Sequence, residues 1–185
     1  MPIIAGARSR VLKAILGSPA LGAVADVLAA VTDDGTEQTI TAGITDPPTP
    51  RNVTATSAGT AGDIKAIQVT VHGTNEDDVV INEVLPVFTV DSATTVVGSK
   101  SFKTVTSVVI PAHDGTGATT SVGLGAKLGM GVKLSRDAIV AAFLNGVFET
   151  TRPTVAFSST VIESNTVDLD SALDGNEVIV DYYLT

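Results

Sequence analysis

The sequence predicts an all-β protein, an antiparallel β-sandwich behind an N-terminal arm of helical or extended backbone, and three observations lead there. Val and Thr, both β-branched and suited to a pleated surface, crowd the chain, while aromatic residues make up only 4% and Trp is absent. Beyond Gln38 the apolar residues alternate with polar ones instead of recurring at helical spacing. Clusters of Gly, Pro, Asn and Asp break these runs at the intervals expected of a sandwich. With few large rings, the core must be packed from many small branched side chains, which favours a thin sandwich of short strands.

A chain of 185 residues, 44% hydrophobic and 17% charged, suits one domain with an appendage and can bury a sizeable core. The arm is placed at residues 1–36 and the sandwich at 37–185, with Asp33-Asp34-Gly35 closing the arm. Arg8, Arg10 and Lys13 precede the apolar stretch Ala14–Val31, an order that resembles a secretory leader, but Pro19 and Asp26 interrupt it. Lys13, Pro19 and Asp26 also leave no clean run long enough for a membrane span. The segment reads as an amphipathic arm. Val11, Leu12, Ile15 and Leu16 recur at helical spacing, and after Ser18–Pro19, a cap and first-turn pair, Leu21, Val24 and Leu28 do so again, with Val31. The first seven of these are the candidate partner interface, packed either on their own sandwich or on another subunit.

The strands follow in order. Thr39–Ile44 is the first, and Asp46-Pro-Pro-Thr-Pro50 is a rigid connector whose prolines deny donors to a ladder. A strand begins at Asn52. Ile67–His72 is the clearest, with Ile67, Val69 and Val71 on one face and Gln68, Thr70 and His72 on the other. Gly73–Asp78 turns the chain into Val79–Leu85, a hairpin partner with Val79, Ile81 and Glu83 opposite Val80 and Asn82, and Pro86 marks an edge or bulge. Further strands are expected at Val87–Val90, Val105–Ile110, Thr119–Leu124, Thr154–Ile162, Thr166–Leu169 and Glu177–Tyr183. Phe102 and Val105 suggest a short helical turn entering a strand, with Phe102 as a core plug. Ala138–Phe148 reads as helix or strand equally well.

Pro50-Arg-Asn-Val-Thr-Ala-Thr56 and Asp63-Ile-Lys-Ala-Ile-Gln-Val-Thr-Val-His-Gly-Thr74 resemble proteins encoded among the head genes of tailed bacteriophages. Glu83-Val-Leu-Pro86, Gly98–Pro111, His113-Asp-Gly-Thr-Gly117 and Asn165-Thr-Val-Asp-Leu169 continue the resemblance, which covers most of residues 40–185 and leaves out the arm. It implies an Ig-like β-sandwich on or within a virion, made in the host cytoplasm and located in the capsid or head. The implied role is a capsid decoration or cement protein, homo-oligomeric, bound to the major capsid protein or other virion proteins. A tail-tube, neck or head-tail connector protein is the alternative, and an Ig-like surface or carbohydrate-binding module a third.

Charge and chemistry narrow the classes. With 11 basic against 20 acidic residues and a net charge of −9, a nucleic-acid partner is not expected. No Cys is present, so disulfides, thiolate metal sites and Cys nucleophiles are excluded. His72 and His113 are the only imidazoles, and no acid, base and nucleophile set surrounds either, so no enzyme and no cofactor is expected. His113-Asp114-Gly115 reads as a tight turn before it reads as a metal site. Gly115, Gly117, Gly123, Gly125, Gly129 and Gly131 fit neither nucleotide-loop spacing. Asp168, Asp170, Asp174, Asn176 and Glu177 are oxygen-rich, but their order departs from the calcium loop, and no metal site is assigned. Of Tyr182 and Tyr183, strand alternation buries one ring and exposes the other.

Overall fold

The computed structural model describes residues 10–183, so Arg8 and the rest of the first nine residues of the expected arm lie outside the described residues. The strands are β1 Val11–Ile15, β2 Leu28–Thr32, β3 Gln38–Ile40, β4 Arg51–Gly59, β5 Thr70–Thr74, β6 Val80–Val84 and β7 Thr95–Phe102. They continue with β8 Thr104–Ile110, β9 Ala118–Gly129, β10 Ile139–Leu144, β11 Val147–Phe148, β12 Thr154–Ala156, β13 Thr166–Asp168 and β14 Val178–Tyr183. All pairings are antiparallel and form three sheets: β1-β14-β10-β11, β12-β13-β9-β4-β7 with β2 also on β9, and β3-β8-β5-β6. Among the described residues there is no α-helix, only 3-10 turns at Ala61–Asp63 and Ile162–Ser164.

The helical arm is therefore corrected. Val11–Ile15 is a strand paired along its length with β14, and Leu28–Thr32 is a strand on β9. Val11, Leu12, Ile15 and Leu16 fit helical spacing, but Val11, Lys13 and Ile15 also alternate with Leu12 and Ala14, and the open edge of β14 selects the alternating reading. Ala138–Phe148 resolves as a hairpin whose two-residue loop, Asn145-Gly146, has φ 53° and 72°, the left-handed pair that a type I′ turn requires.

The β5–β6 hairpin follows the expected alternation of faces, but its ladder begins at Thr70, after Ile67–Val69, and takes in Gly73 and Thr74, residues expected in the turn. Ile67, Val69, Val71, Ile81 and Glu83 face inward and Val80 and Asn82 outward, while Val79 lies exposed in the turn. That turn closes on Asn75, whose Oδ1 accepts from the Asp77 and Val79 amides at 3.0 and 3.1 Å. Four expected elements differ. Thr39–Ile44 pairs as a strand only over Gln38–Ile40, and Ile44 forms an isolated bridge with Leu28. Val87–Val90 finds no strand partner, Thr154–Ile162 stops pairing after Ala156, and Phe102 ends the extended strand β7 instead of a helical turn. Phe102 is nonetheless fully buried.

Two hydrophobic clusters share the long strand β9. Val53, Ala55 and Val122 of the large sheet meet Val69, Val71, Ile81, Val105 and Val108, with Phe88 and Phe102 filling the middle. At the far end of β9, Leu128 and Met130 join Val167 against Ala142, Leu144, Val178, Val180 and Tyr182.

Between these clusters the large sheet is bulged on both sides of β4 at adjacent residues, Val53 facing β7 and Asn52 facing β9. A step from Asn52 to Thr54 along β4 is matched by Ser101 to Val97 on β7, and a step from Arg51 to Val53 by Leu128 to Leu124 on β9. Both neighbours of β4 thus loop out, leaving ladder groups to be satisfied by side chains. Asn52, fully buried, donates from Nδ2 to the Gly98 carbonyl on β7 at 2.9 Å and accepts at Oδ1 from the Lys127 amide on β9 at 2.9 Å. A Cβ at Gly125 would fall inside the Asn52 amide. The β7 bulge is completed from the third sheet by Glu83, whose Oε1 accepts from Ser99 N at 2.6 Å and Ser99 Oγ at 2.7 Å, and whose Oε2 accepts from Lys100 N at 3.2 Å.

Asn52→Leu keeps the volume but leaves the Lys127 amide without its partner and the Gly98 carbonyl with only the long 3.4 Å bond from Lys127 Nζ, and is expected to destabilise the protein by about 2 kcal/mol. The urea midpoint should fall with an unchanged slope; a midpoint equal to wild type would show that the bulges satisfy themselves.

Candidate assembly surface

The segment linking β1 to β2 is held first against β14 of the four-stranded sheet and the turn before it, then against β9 of the large sheet. Leu16 N donates to Val178 O at 2.9 Å, Val178 N to Gly17 O at 2.8 Å, and Gly175 N to Pro19 O at 3.1 Å. Ala23 N donates to Asp26 Oδ2 at 2.6 Å, Leu124 N to Ala23 O at 3.3 Å, and Val27 N to Val122 O at 3.0 Å. At Gly22 and Gly123 the facing carbonyls of Leu124 and Ala23 occupy the space a Cβ would need, so loop and strand touch backbone to backbone.

Arg51 locks this loop from beneath. Its guanidinium is buried, with Nε donating to Gly125 O at 2.7 Å, Nη2 donating to the same carbonyl, and Nη1 donating to Ala20 O at 2.9 Å. Burial lowers its pKa and the charge of Asp26 works in the opposite direction. The side chain stays charged, since arginine does not deprotonate in proteins. Leu21, Pro48 and Leu124 line a shallow cavity with Arg51, Asp26 and Asp46. What the loop presents to solvent is apolar: Leu21 is 67% exposed and Val24 52%.

The seven arm residues therefore have three separate places. Leu12 and Leu16 pack on the second hydrophobic cluster, and Leu28 is buried in the first. Leu21 and Val24 project from the locked loop, while Val11 and Ile15 lie on the outer face of β1. The loop's rigidity depends on Arg51, which sequence reading passed over. An arginine after a proline carries no mark of burial, because its acceptors are 31 and 74 residues away.

The other candidate residues are dispersed. His72 sits half-exposed on the outward face of β5. His113 is buried and stacks on Phe88 at 6.1 Å between ring centroids. Its Nδ1 accepts from the Lys65 amide at 3.1 Å, which places the proton on Nε2, the atom bonded to Thr120 Oγ1 at 3.1 Å. Asp174 accepts from the backbone and side-chain nitrogens of Asn176, whereas Asp168 is half-buried in β13, where desolvation raises its pKa against the lowering effect of Lys127. Among the described residues, no three His, Asp or Glu side chains gather closely enough to hold a metal ion. Tyr182 is buried and Tyr183 partly exposed. Compared with protein-family models, curated proteins and solved structures, the chain matches none.

Burial holds the His113 pKa below its ordinary value of 6.5, with the charge of Asp33 opposing. A depressed histidine pKa means the unfolded chain binds the proton first. The histidine's contribution to stability is complete above about pH 6.5 and declines as pH falls through that value toward the lower folded pKa. Glu76 and Asp168, both raised by burial, act in the opposite sense. The comparison is therefore made with His113→Gln: between about pH 7.5 and pH 5.5 the wild type should lose more stability than the variant. Parallel losses would place the titration elsewhere.

Proposed function

We propose that this chain is a virion structural protein, a decoration or cement protein that attaches to the assembled head lattice through the Leu21–Val24 loop. The observation that carries this reading is the loop itself: two large aliphatic side chains exposed to water on a backbone fixed by Arg51, Gly22 and Gly123. Fixed aliphatic anchors lose little conformational entropy on docking, and a lattice multiplies a modest contact over many equivalent sites. The resemblance of residues 40–185 to head-gene proteins of tailed bacteriophages supports the particle as the setting, with the major capsid protein as partner. An Ig-like relationship for the sheets belongs to the same proposal.

Leu21→Asp and Val24→Asp change exposed positions and should leave the melting temperature unchanged, while binding to heads lacking the protein falls by about tenfold or more in a co-sedimentation assay. Undiminished attachment of both variants would remove the loop from the interface. Ring-shaped assemblies of the purified protein would point instead to a tube or connector.

A further inference from the structure

A second apolar surface lies apart from the loop, on the outer face of β1-β14-β10-β11. Cross-strand register aligns Ile15, Ile179, Phe143 and Phe148 in one row over all four strands. Ile15 is 64% exposed and Phe148 54%, and Phe148 meets Phe143 edge-on with ring centroids 5.7 Å apart. The adjacent row is Lys13, Asp181 and Ala141, and beyond it Val11 lies opposite Tyr183. The inward residues of the same strands, Ala142, Val178 and Val180, are core. This sheet is thus apolar on both sides, the composition of a sheet covered on two faces.

The charges on this face say what covers it. Lys13 and Asp181 are direct cross-strand neighbours on adjacent strands, yet neither enters any ion pair among the described residues. A chain of net charge −9 repels its own copies over most of its surface. Here the rows carry one cation and one anion, so the face is locally neutral and complementary to itself. An isologous contact, in which the same patch serves both partners, needs that property. An acidic or basic partner would be better matched by a face of one sign.

We propose that a second copy of this chain packs on this face, sheet against sheet, with the row Ile15, Ile179, Phe143 and Phe148 as its apolar centre and Lys13 and Asp181 as its charge complement. The contact spans about 15 Å across four strands. It is independent of the loop argued to bind the head and does not rest on the virion reading.

The test is the mass of the full chain in solution by sedimentation across a concentration series. Wild type should pass from monomer to dimer, and Phe148→Asp should shift the midpoint upward by about tenfold or more without lowering the melting temperature. Lys13→Glu and Asp181→Lys each give the face two like charges, and each should self-associate at least about tenfold more weakly. Mixed together, the two reversed variants should form a heterodimer, and the double variant should recover self-association. A wild type that stays monomeric at every concentration overturns the proposal, even if it binds heads through this face. So does a dimer indifferent to the charge reversals, or a mixture that fails to associate.

Discussion

The architecture depends on how one buried amide, that of Asn52, replaces ladder bonds that two neighbouring strands cannot make. β4 is an interior strand of the large sheet, between β9 and β7, and the loss of its pairing on both sides at adjacent residues would ordinarily leave buried backbone groups unsatisfied. Asn52 carries one donor group and one acceptor group on one planar head, so it can reach β7 with the first and β9 with the second. Glu83 then closes the same β7 bulge from a different sheet. The bulges are consequently where the sheets are tied to one another, and each bulge bends its strand.

That bend lets β9 serve two cores. Before its bulge it supplies Val122 to the first cluster, and after it Leu128 to the second, with Met130 just past its end. Arg51 occupies the same junction, holding the Gly125 carbonyl of the bulge and the Ala20 carbonyl of the loop. A charge so deeply buried would be costly if it only filled space. Here it satisfies two carbonyls and fixes the backbone on which Leu21 and Val24 stand, so the geometry of the exposed loop is inherited from the sheet interior.

Local patterns were legible in the sequence and long-range ones were not. The alternation of Ile67, Val69 and Val71, the inward pairing of Ile81 with Glu83, and the strands at Val105–Ile110 and Glu177–Tyr183 could be read because periodicity and turn residues lie within a few positions. The Asn145-Gly146 turn was equally local, and it is the signal that separates strand from helix over Ala138–Phe148. β7 escaped notice because Gly98-Ser99-Lys100, its bulge, interrupts the apolar alternation. The arm was misassigned since a short segment fits two periods and only a tertiary partner, β14, decides between them. Asn52 and Arg51 carry no local mark, their partners being 31 to 75 residues away. Of the candidate assembly surface, the sequence named the seven arm residues but neither their division among core, loop and sheet face nor the Ile179, Phe143 and Phe148 that pairing brings beside Ile15.

That division bears on how such a protein could hold a lattice. Had all seven arm residues lain on one amphipathic helix, attachment and self-association would have competed for the same surface. Instead Leu21 and Val24 stand on a loop fixed to the large sheet, while Ile15 belongs to the four-stranded sheet with Phe148. A pair of chains joined through the sheet face would keep both loops free and present two anchors together. When the first loop docks, the second meets its site at an effective concentration set by the geometry of the pair and not by the bulk solution. Two weak aliphatic contacts can then hold firmly without either being tight, provided the spacing of the loops matches the spacing of the lattice sites.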